Sequence, residues 1–385
     1  IAFSDPALPT LHVQQAAIVR DKPLNLVIVL QESLGATFVK SLGGLAVTPE
    51  LERLKDQGWW FEQLYATGTR SVRGIEAVVA GYAPTPARST VKLSLSQYNF
   101  YTLADGLGRQ GYRTEFVYGG EAHFDNMRSF FTGNGFQNIV DIGDMKPAFV
   151  GSWGASDEDL FDKSLERLKT LHAQDKPFFS LIFTSSNHEP FEFPDGKIAL
   201  HDPDKQTVNN AVKYADHALG KFIREAKQQA YWKDTVFLIV ADHDNRVYGD
   251  SLVPIKKFHI PGLILGADIE ARRIGAIASQ VDLGPTLLSL LGVSSNHPMI
   301  GRDFVKDATT PGRALIQFND YFAYLEGANA TVLRPGQAPL AARYDAASGH
   351  FDPGAGAPTR ARADQAMAHA MLPSLLYREQ RYRPR

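Results

Sequence analysis

The chain has 385 residues, 44% hydrophobic and 21% charged, an ordinary globular balance with room for one large or two ordinary domains. Its formal net charge of −2 gives no bulk argument for nucleic acid or for an anionic membrane surface. With 0 Cys, disulfides and thiolate chemistry are excluded.

No apolar run reaches transmembrane length, and the first residue is Ile. The expectation is a processed or trimmed chain whose membrane-bound N-terminal part is missing. Residues 1–23 lack periodicity and read as a linker or surface arm. Leu24 to Leu30 reads as a buried strand ending in Gln31-Glu32-Ser33. Thr48-Pro49-Glu50 starts a helix with an N-cap and a first-position proline; Leu51 and Leu54 share one face, and the helix stops near Gly58. Residues 59–65 read as a strand. A glycine-containing turn at Ala66-Thr-Gly-Thr69-Arg70 then runs through Ser71 into an apolar helix to Ala80.

Further on, 101–110 reads as a helix and 113–118 as a strand ending in Gly119-Gly120-Glu121. Residues 156–174 form an amphipathic helix. The strand 177–184 ends in Ser185-Ser-Asn187-His188-Glu189-Pro190-Phe191. A long helix over 207–229 precedes the strand 236–240, whose apolar run breaks into Asp242-His243. Residues 262–265 follow, then a helix over 281–291 closed by Gly292. This alternation predicts an α/β/α sandwich with a mostly parallel central sheet over 24–310. Residues 311–385 differ. Short strands at 314–318, 322–325, 330–333 and 341–344, a Gly/Pro/Ala-rich loop at 352–362 and a helix over 360–382 read as a small C-terminal α+β subdomain.

Ligands bind beyond the carboxyl ends of strands in open α/β sheets. Three strand ends carry polar chemistry: Glu32, His188 and Asp242-His243. If these strands are neighbours, Glu32, Asp242 and His243 can hold a divalent metal, with Ser71 completing the sphere through Oγ. A serine hydroxyl is a weak nucleophile at neutral pH, and metal coordination lowers its pKa. A helix N-terminus beneath Ser71 turns backbone N–H groups towards a phosphate, and Arg70 or Arg73 can grip it. Each residue also has a plainer reading. Glu32 and Ser71 can be helix caps, His188 can satisfy a core hydrogen bond, and His259 can structure the Phe-His-Ile-Pro turn. Arg246 and Tyr248 either line the site or shape its loop.

The motifs Leu-Gln-Glu32-Ser33, Gly-Thr-Arg-Ser71-Val-Arg-Gly-Ile-Glu-Ala, Ser-Asn-His188-Glu-Pro-Phe, Ala-Asp242-His243 and Val-Asp282-Leu-Gly-Pro-Thr occur in one order between Leu24 and Phe304. In this the chain resembles the lipoteichoic acid synthase-like, phosphoglycerol transferase branch of the alkaline phosphatase/sulfatase superfamily. The resemblance implies Glu32, Asp242 and His243 as metal ligands, and Ser71 as a nucleophile that becomes phosphorylated. It implies His188 on the substrate phosphate or head group, and one divalent metal, Mn²⁺ first, with Mg²⁺ or Zn²⁺ as alternatives. It also implies an extracytoplasmic domain tethered to the membrane, taking a phospholipid head group to an envelope glycan or other acceptor.

Two departures stand out. The Trp-Asn-Arg stretch with which the lipoteichoic acid enzymes grip glycerol phosphate is missing from Gly119 to Arg128, leaving His123 or Arg128 as replacements. Ser71 lacks the proline two residues on that sulfatases need for formylglycine conversion. Phosphoethanolamine transfer or phosphodiester hydrolysis are the enzymatic alternatives, and a non-catalytic envelope sensor is the other class. His188 and His259 are candidates for a second metal site. The substrate contacts expected are His188, Arg73, His123, Arg128, Arg246 and His259.

Overall fold

A computed structural model describes residues 7–249, 251–354 and 356–383. Eight strands make the central sheet. Their spatial order is Arg272–Ile274, Trp59–Phe61, Gly262–Gly266, Thr235–Ala241, Asn25–Gln31, Phe178–Phe183, Arg113–Tyr118 and Asn138–Val140. Gly262–Gly266 alone runs against the others. The remaining pairings are parallel.

The two central strands, NLVIVLQ and TVFLIVA, are buried along their whole length. Continuous apolar runs without alternation are what a sheet covered on both faces requires. One group of packed helices comprises Pro49–Leu54, Asp157–His172 and Val208–Ala226; another comprises Ser71–Ala80, Leu103–Arg109 and Leu283–Leu291. The result is an α/β/α sandwich.

Asn25 sets the register of the three middle strands. Its Nδ2 donates to Thr235 Oγ1 at 3.2 Å, and its Oδ1 accepts from the Phe178 N–H at 3.1 Å. Gln31 therefore pairs with Ala241, and Leu30 with Phe183. The residues that follow each strand emerge together at one edge, as the strand-end rule expects.

Several local readings differ from the structure. The stretch 59–65 is two strands. Trp59–Phe61 joins the central sheet, while Leu64–Tyr65 pairs with His259–Ile260 and Ala278–Ser279 in a separate three-stranded sheet. Thr48 does not cap its helix by its side chain; its Oγ1 donates to the Phe38 carbonyl. Asp216, from helix Val208–Ala226, accepts from the Glu50 and Leu51 N–H groups at 2.7 and 2.9 Å instead. Such a cap from a distant helix leaves no local sequence signal.

The C-terminal part is a five-stranded antiparallel sheet, Arg313–Phe318, Tyr321–Glu326, Asn329–Leu333, Leu340–Asp345 and His350–Asp352, followed by helix Arg360–Arg378. Of the loop read at 352–362, residue 355 lies outside the described residues, residue 352 ends a strand and 360–362 open the helix. A buried ion pair joins this sheet to the main body: Arg313 Nη1 donates to both Asp282 oxygens at 2.8 and 2.9 Å. Ahead of the first long strand, His12–Gln14 pairs with Ser295–His297, and Gln14 Nε2 donates to the Pro285 carbonyl at 2.8 Å. Among the described residues no helix is long and apolar enough to cross a membrane.

Candidate metal centre and nucleophile

Asp242 and His243 follow strand Thr235–Ala241, and Glu32 follows the neighbouring strand Asn25–Gln31. All three are buried, and one ligand atom from each lies within 4.8 Å of the others. His243 Nε2 stands 3.5 Å from Asp242 Oδ2 and 3.8 Å from Glu32 Oε1. Ser71 opens helix Ser71–Ala80 and turns its Oγ into the same cluster, 3.1 Å from Glu32 Oε2 and 3.4 Å from His243 Nε2. Gly74, one turn on, allows that approach. A Cβ there would lie 2.6 Å from the Asp242 backbone oxygen.

The donor set suits a divalent cation. Asp242 Oδ1 accepts from the Ser33 and His243 N–H groups, both at 2.7 Å, while Oδ2 is buried with no hydrogen-bond partner. A bare buried carboxylate oxygen is costly unless something positive meets it. His243 Nδ1 sits 2.7 Å from the Asp244 carbonyl, which fixes the proton there and leaves the Nε2 lone pair facing the carboxylates. Asp244 is held in turn by Thr37 Oγ1 and Lys257 Nζ, each at 2.7 Å. Burial, then the neighbouring Asp242, pushes Glu32 up to about 7. Burial pushes Asp242 up to about 7 as well. Two carboxylates desolvated side by side resist ionising until a cation joins them. Glu32, Asp242, His243 and Ser71 therefore fit a single metal of the oxygen- and imidazole-binding kind.

Beside this cluster lies a cavity of about 680 Å³. Ser71, Glu32 and His243 form its floor; Arg70, Phe124, Asp125, Trp153, Asn187, His188 and Arg246 stand around it. The His188 ring lies 3.9 Å from that of Trp153, which contacts Phe124 edge-on at 5.3 Å. Trp153 Nε1 donates to the Glu189 carbonyl at 2.7 Å, fastening this wall to the His188 loop. Asp157, buried under the same loop, accepts from the Ser185 and Ser186 N–H groups at 3.1 and 3.0 Å.

The expected phosphate and head-group contacts divide. His188 and Arg246 line the cavity, Arg246 paired with Glu189. Arg73 does not reach it. Its guanidinium pairs with buried Glu76 at 2.7 Å and with the Thr85 and Ala87 carbonyls. Arg70 is the arginine that the turn leaves exposed at the mouth. Arg128 pairs with Asp141 at 2.6 Å, and His123 is exposed outside the lining; their neighbours Phe124 and Asp125 face the cavity instead. His259 is also outside the lining. It stacks on Tyr65 at 5.4 Å with Nε2 2.9 Å from the Glu62 carbonyl, and burial lowers it to about 4. The second-metal idea for His188 and His259 gains nothing from these positions. Trp153 and Asp125 had no sequence signal: one sits between the two-residue strands Val150–Gly151 and Gly154–Ala155, the other in a turn at φ +53°.

A family model described as Sulfatase matches residues 24–293. Among curated relatives, the lipoteichoic acid synthase-like protein YvgJ of Bacillus subtilis is 25% identical over 324 residues, 75% of this chain and 51% of that protein. Phosphoglycerol transferase I of Xanthomonas campestris is 26% identical over 340 residues, 81% of this chain and 47% of its own length. The chain thus spans about half the length of these relatives. A crystal structure of a protein in the alkaline phosphatase superfamily from Vibrio parahaemolyticus matches with a TM-score of 0.97 and 51% identity, covering 100% of this chain and 94% of that one. The lipoteichoic acid synthase LtaP of Listeria monocytogenes shares the fold, with a TM-score of 0.80 at 20% identity over 97% of each chain.

Proposed function

Because the chain belongs to the sulfatase family, we propose that it is a metal-dependent phosphotransferase moving a phosphoglycerol-type group from a phospholipid to an envelope glycan or similar acceptor through phospho-Ser71. The observation that carries this reading is the Ser71 hydroxyl, held against Glu32 and His243 on the floor of an open cavity. One divalent cation, Mn²⁺ by preference and Mg²⁺ or Zn²⁺ otherwise, held by Glu32, Asp242, His243 and Ser71, supplies Lewis acidity that makes the Ser71 hydroxyl a nucleophile at neutral pH.

Ser71 Oγ attacks the phosphodiester phosphorus in line. The Oγ–P bond forms as the bond to the diacylglycerol oxygen breaks; the Ser71 hydroxyl gives up its proton and the departing oxygen takes one up, so the step is neutral in protons. Arg70 and the first N–H groups of helix Ser71–Ala80 bind the non-bridging oxygens. His188 acts on the phosphate or the departing oxygen. In the second half, an acceptor hydroxyl attacks phosphorus, its proton is lost, and the Oγ–P bond breaks to restore Ser71. Water in the acceptor's place gives phosphodiester hydrolysis.

Phosphate is favoured over sulfate because Ser71-Val72-Arg73 lacks the proline of the formylglycine motif. A glycerol head group is favoured over ethanolamine by charge. Asp125 and Glu189, the carboxylates of the lining outside the metal set, are already paired with Lys92 and Arg246. Among the described residues no unpaired carboxylate of the lining outside the metal set waits for an ammonium. The domain would work outside the cytoplasmic membrane, next to its donor lipid. The test is diacylglycerol release from phosphatidylglycerol with Mn²⁺ present. Turnover that Ser71→Ala abolishes, with metal binding retained, supports the reading; undiminished turnover in that variant dismisses it.

A further inference from the structure

The C-terminal helix carries an apolar stripe that no other part of the described chain covers. Met367, Met371 and Leu375 recur every four residues along Arg360–Arg378 and are 41%, 53% and 36% exposed. That spacing stacks them on one face. The opposite side is buried through Ala366, Pro373 and Leu376. The Ser94–Ser96 turn packs on the same helix at Tyr377, whose Oη accepts from the Leu95 N–H at 3.3 Å. Single exposed apolar side chains are ordinary, but a contiguous set marks an interaction surface.

Charge selects the occupant. Residues 360–385 hold six arginines against two carboxylates, in a chain whose net charge is −2. Arg360 and Arg378 bracket the stripe, their side chains 95% and 72% exposed and paired only at 3.6 and 3.9 Å, with Asp364 and Glu379, contacts too long and too exposed to hold them strongly. An apolar strip between arginines is the pattern of a helix lying in the plane of an anionic leaflet: Met and Leu enter the acyl boundary and guanidinium groups meet lipid phosphates. A two-fold pairing of copies through the same face would bring like charges together instead. The turn packed on this helix also leads to the cavity. Lys92, three residues before Leu95, pairs with Asp125 of the lining, and its carbonyl accepts from Asn126 Nδ2 at 3.4 Å.

We propose that the face formed by Met367, Met371 and Leu375 docks the domain on an anionic phospholipid surface and holds the cavity beside the head groups. Its use in the reaction rests on the reading of the donor as a phospholipid; the docking itself does not. The test is co-sedimentation of the full chain, with EDTA present, on vesicles of phosphatidylcholine alone or with about one third phosphatidylglycerol. Wild type is expected on the anionic vesicles, less so at about 0.5 M salt. Met367→Ser/Met371→Ser/Leu375→Ser is expected to lose binding roughly tenfold, and Arg360→Glu/Arg378→Glu to lose the salt-sensitive part. Ser71→Ala should bind like wild type. Metal-loaded cleavage of a water-soluble phosphodiester should be equal in wild type and the triple serine variant, which verifies the fold. Three results overturn the proposal: undiminished binding by the triple variant, no preference for phosphatidylglycerol, or a wild-type dimer in light scattering that the triple variant dissolves. If no ester is cleaved by any form yet the triple variant leaves the vesicles, the proposed reaction fails and the docking stands.

Discussion

Gly74 and Asp242 touch so closely that the helix of Ser71 and the strand end carrying Asp242 form one unit: a Cβ on Gly74 would meet the Asp242 Cα and backbone oxygen at 2.6 Å. Ser71 reaches Glu32 and His243 because its helix can lean on that backbone. Gly74→Ala should therefore push helix Ser71–Ala80 outward. Overpacking of this kind costs about 1–3 kcal/mol. Chemical denaturation should show that loss, and calorimetry should show weaker Mn²⁺ binding. Wild-type metal affinity in the variant would mean the contact is slack.

The two arginines flanking Ser71 should separate cleanly. Arg70 stands exposed at the cavity mouth, so Arg70→Ala should leave stability within about 0.5 kcal/mol and lower kcat/KM roughly 10- to 100-fold. Arg73→Ala leaves fully buried Glu76 without its cation. Ser89 and the Thr90 N–H still bond Glu76, at 2.8 and 2.7 Å, so the expected loss is roughly 3 kcal/mol of stability. Melting curves beside steady-state kinetics decide it; a destabilised Arg70→Ala protein would contradict the placement.

The pH response follows from Glu32 and Asp242. Both sit at about 7 in the metal-free fold, against ordinary values of 4.5 and 3.8. Between those limits the folded state binds more protons than the unfolded chain, so metal-free stability falls as pH rises from about 4 to about 7 and then levels. Asp216, raised to about 7 by burial, adds in the same direction. Metal binding has the opposite slope, because the cation displaces these protons: affinity should climb up to about pH 7 and flatten above it. Melts in EDTA across this range test the first part, and Asp242→Asn should flatten part of that fall. Calorimetry near pH 6 in buffers of different ionisation enthalpy tests proton release. Metal binding without proton release there would contradict the assignment.

Trp153 should act on substrate rather than on folding. Its ring lies against that of His188 at the cavity edge, tilted by 47°, and its Nε1 donates to the Glu189 carbonyl. Trp153→Ala should raise KM and lower kcat/KM roughly tenfold or more, with stability reduced by at most about 1 kcal/mol. A variant with unchanged kinetics on a glycerol-bearing diester would remove Trp153 from the head-group wall.

What could be read from sequence depended on whether the signal was local. The gathering of Glu32 with Asp242-His243 was legible because an apolar run with no alternation stops abruptly at carboxylate and imidazole side chains, and parallel strands deliver their ends to one edge. The C-terminal strands were legible for the same local reason. Arg73 and Arg128 were not, since which way a guanidinium turns depends on carboxylates elsewhere, Glu76 and Asp141. Trp153 enters from a two-residue hairpin with no periodicity to reveal it. Asp216, which supplies the cap expected of Thr48, lies 168 residues further along the chain, beyond any local rule.

The most direct test is intact-protein and peptide mass spectrometry of the chain mixed with Mn²⁺ and phosphatidylglycerol and quenched in acid within the first turnovers. The account predicts one phosphoglycerol increment on the peptide containing Ser71, absent from Ser71→Ala and discharged when acceptor is added. Diacylglycerol release at the wild-type rate with no adduct on that peptide, or with the adduct on another residue, would contradict it.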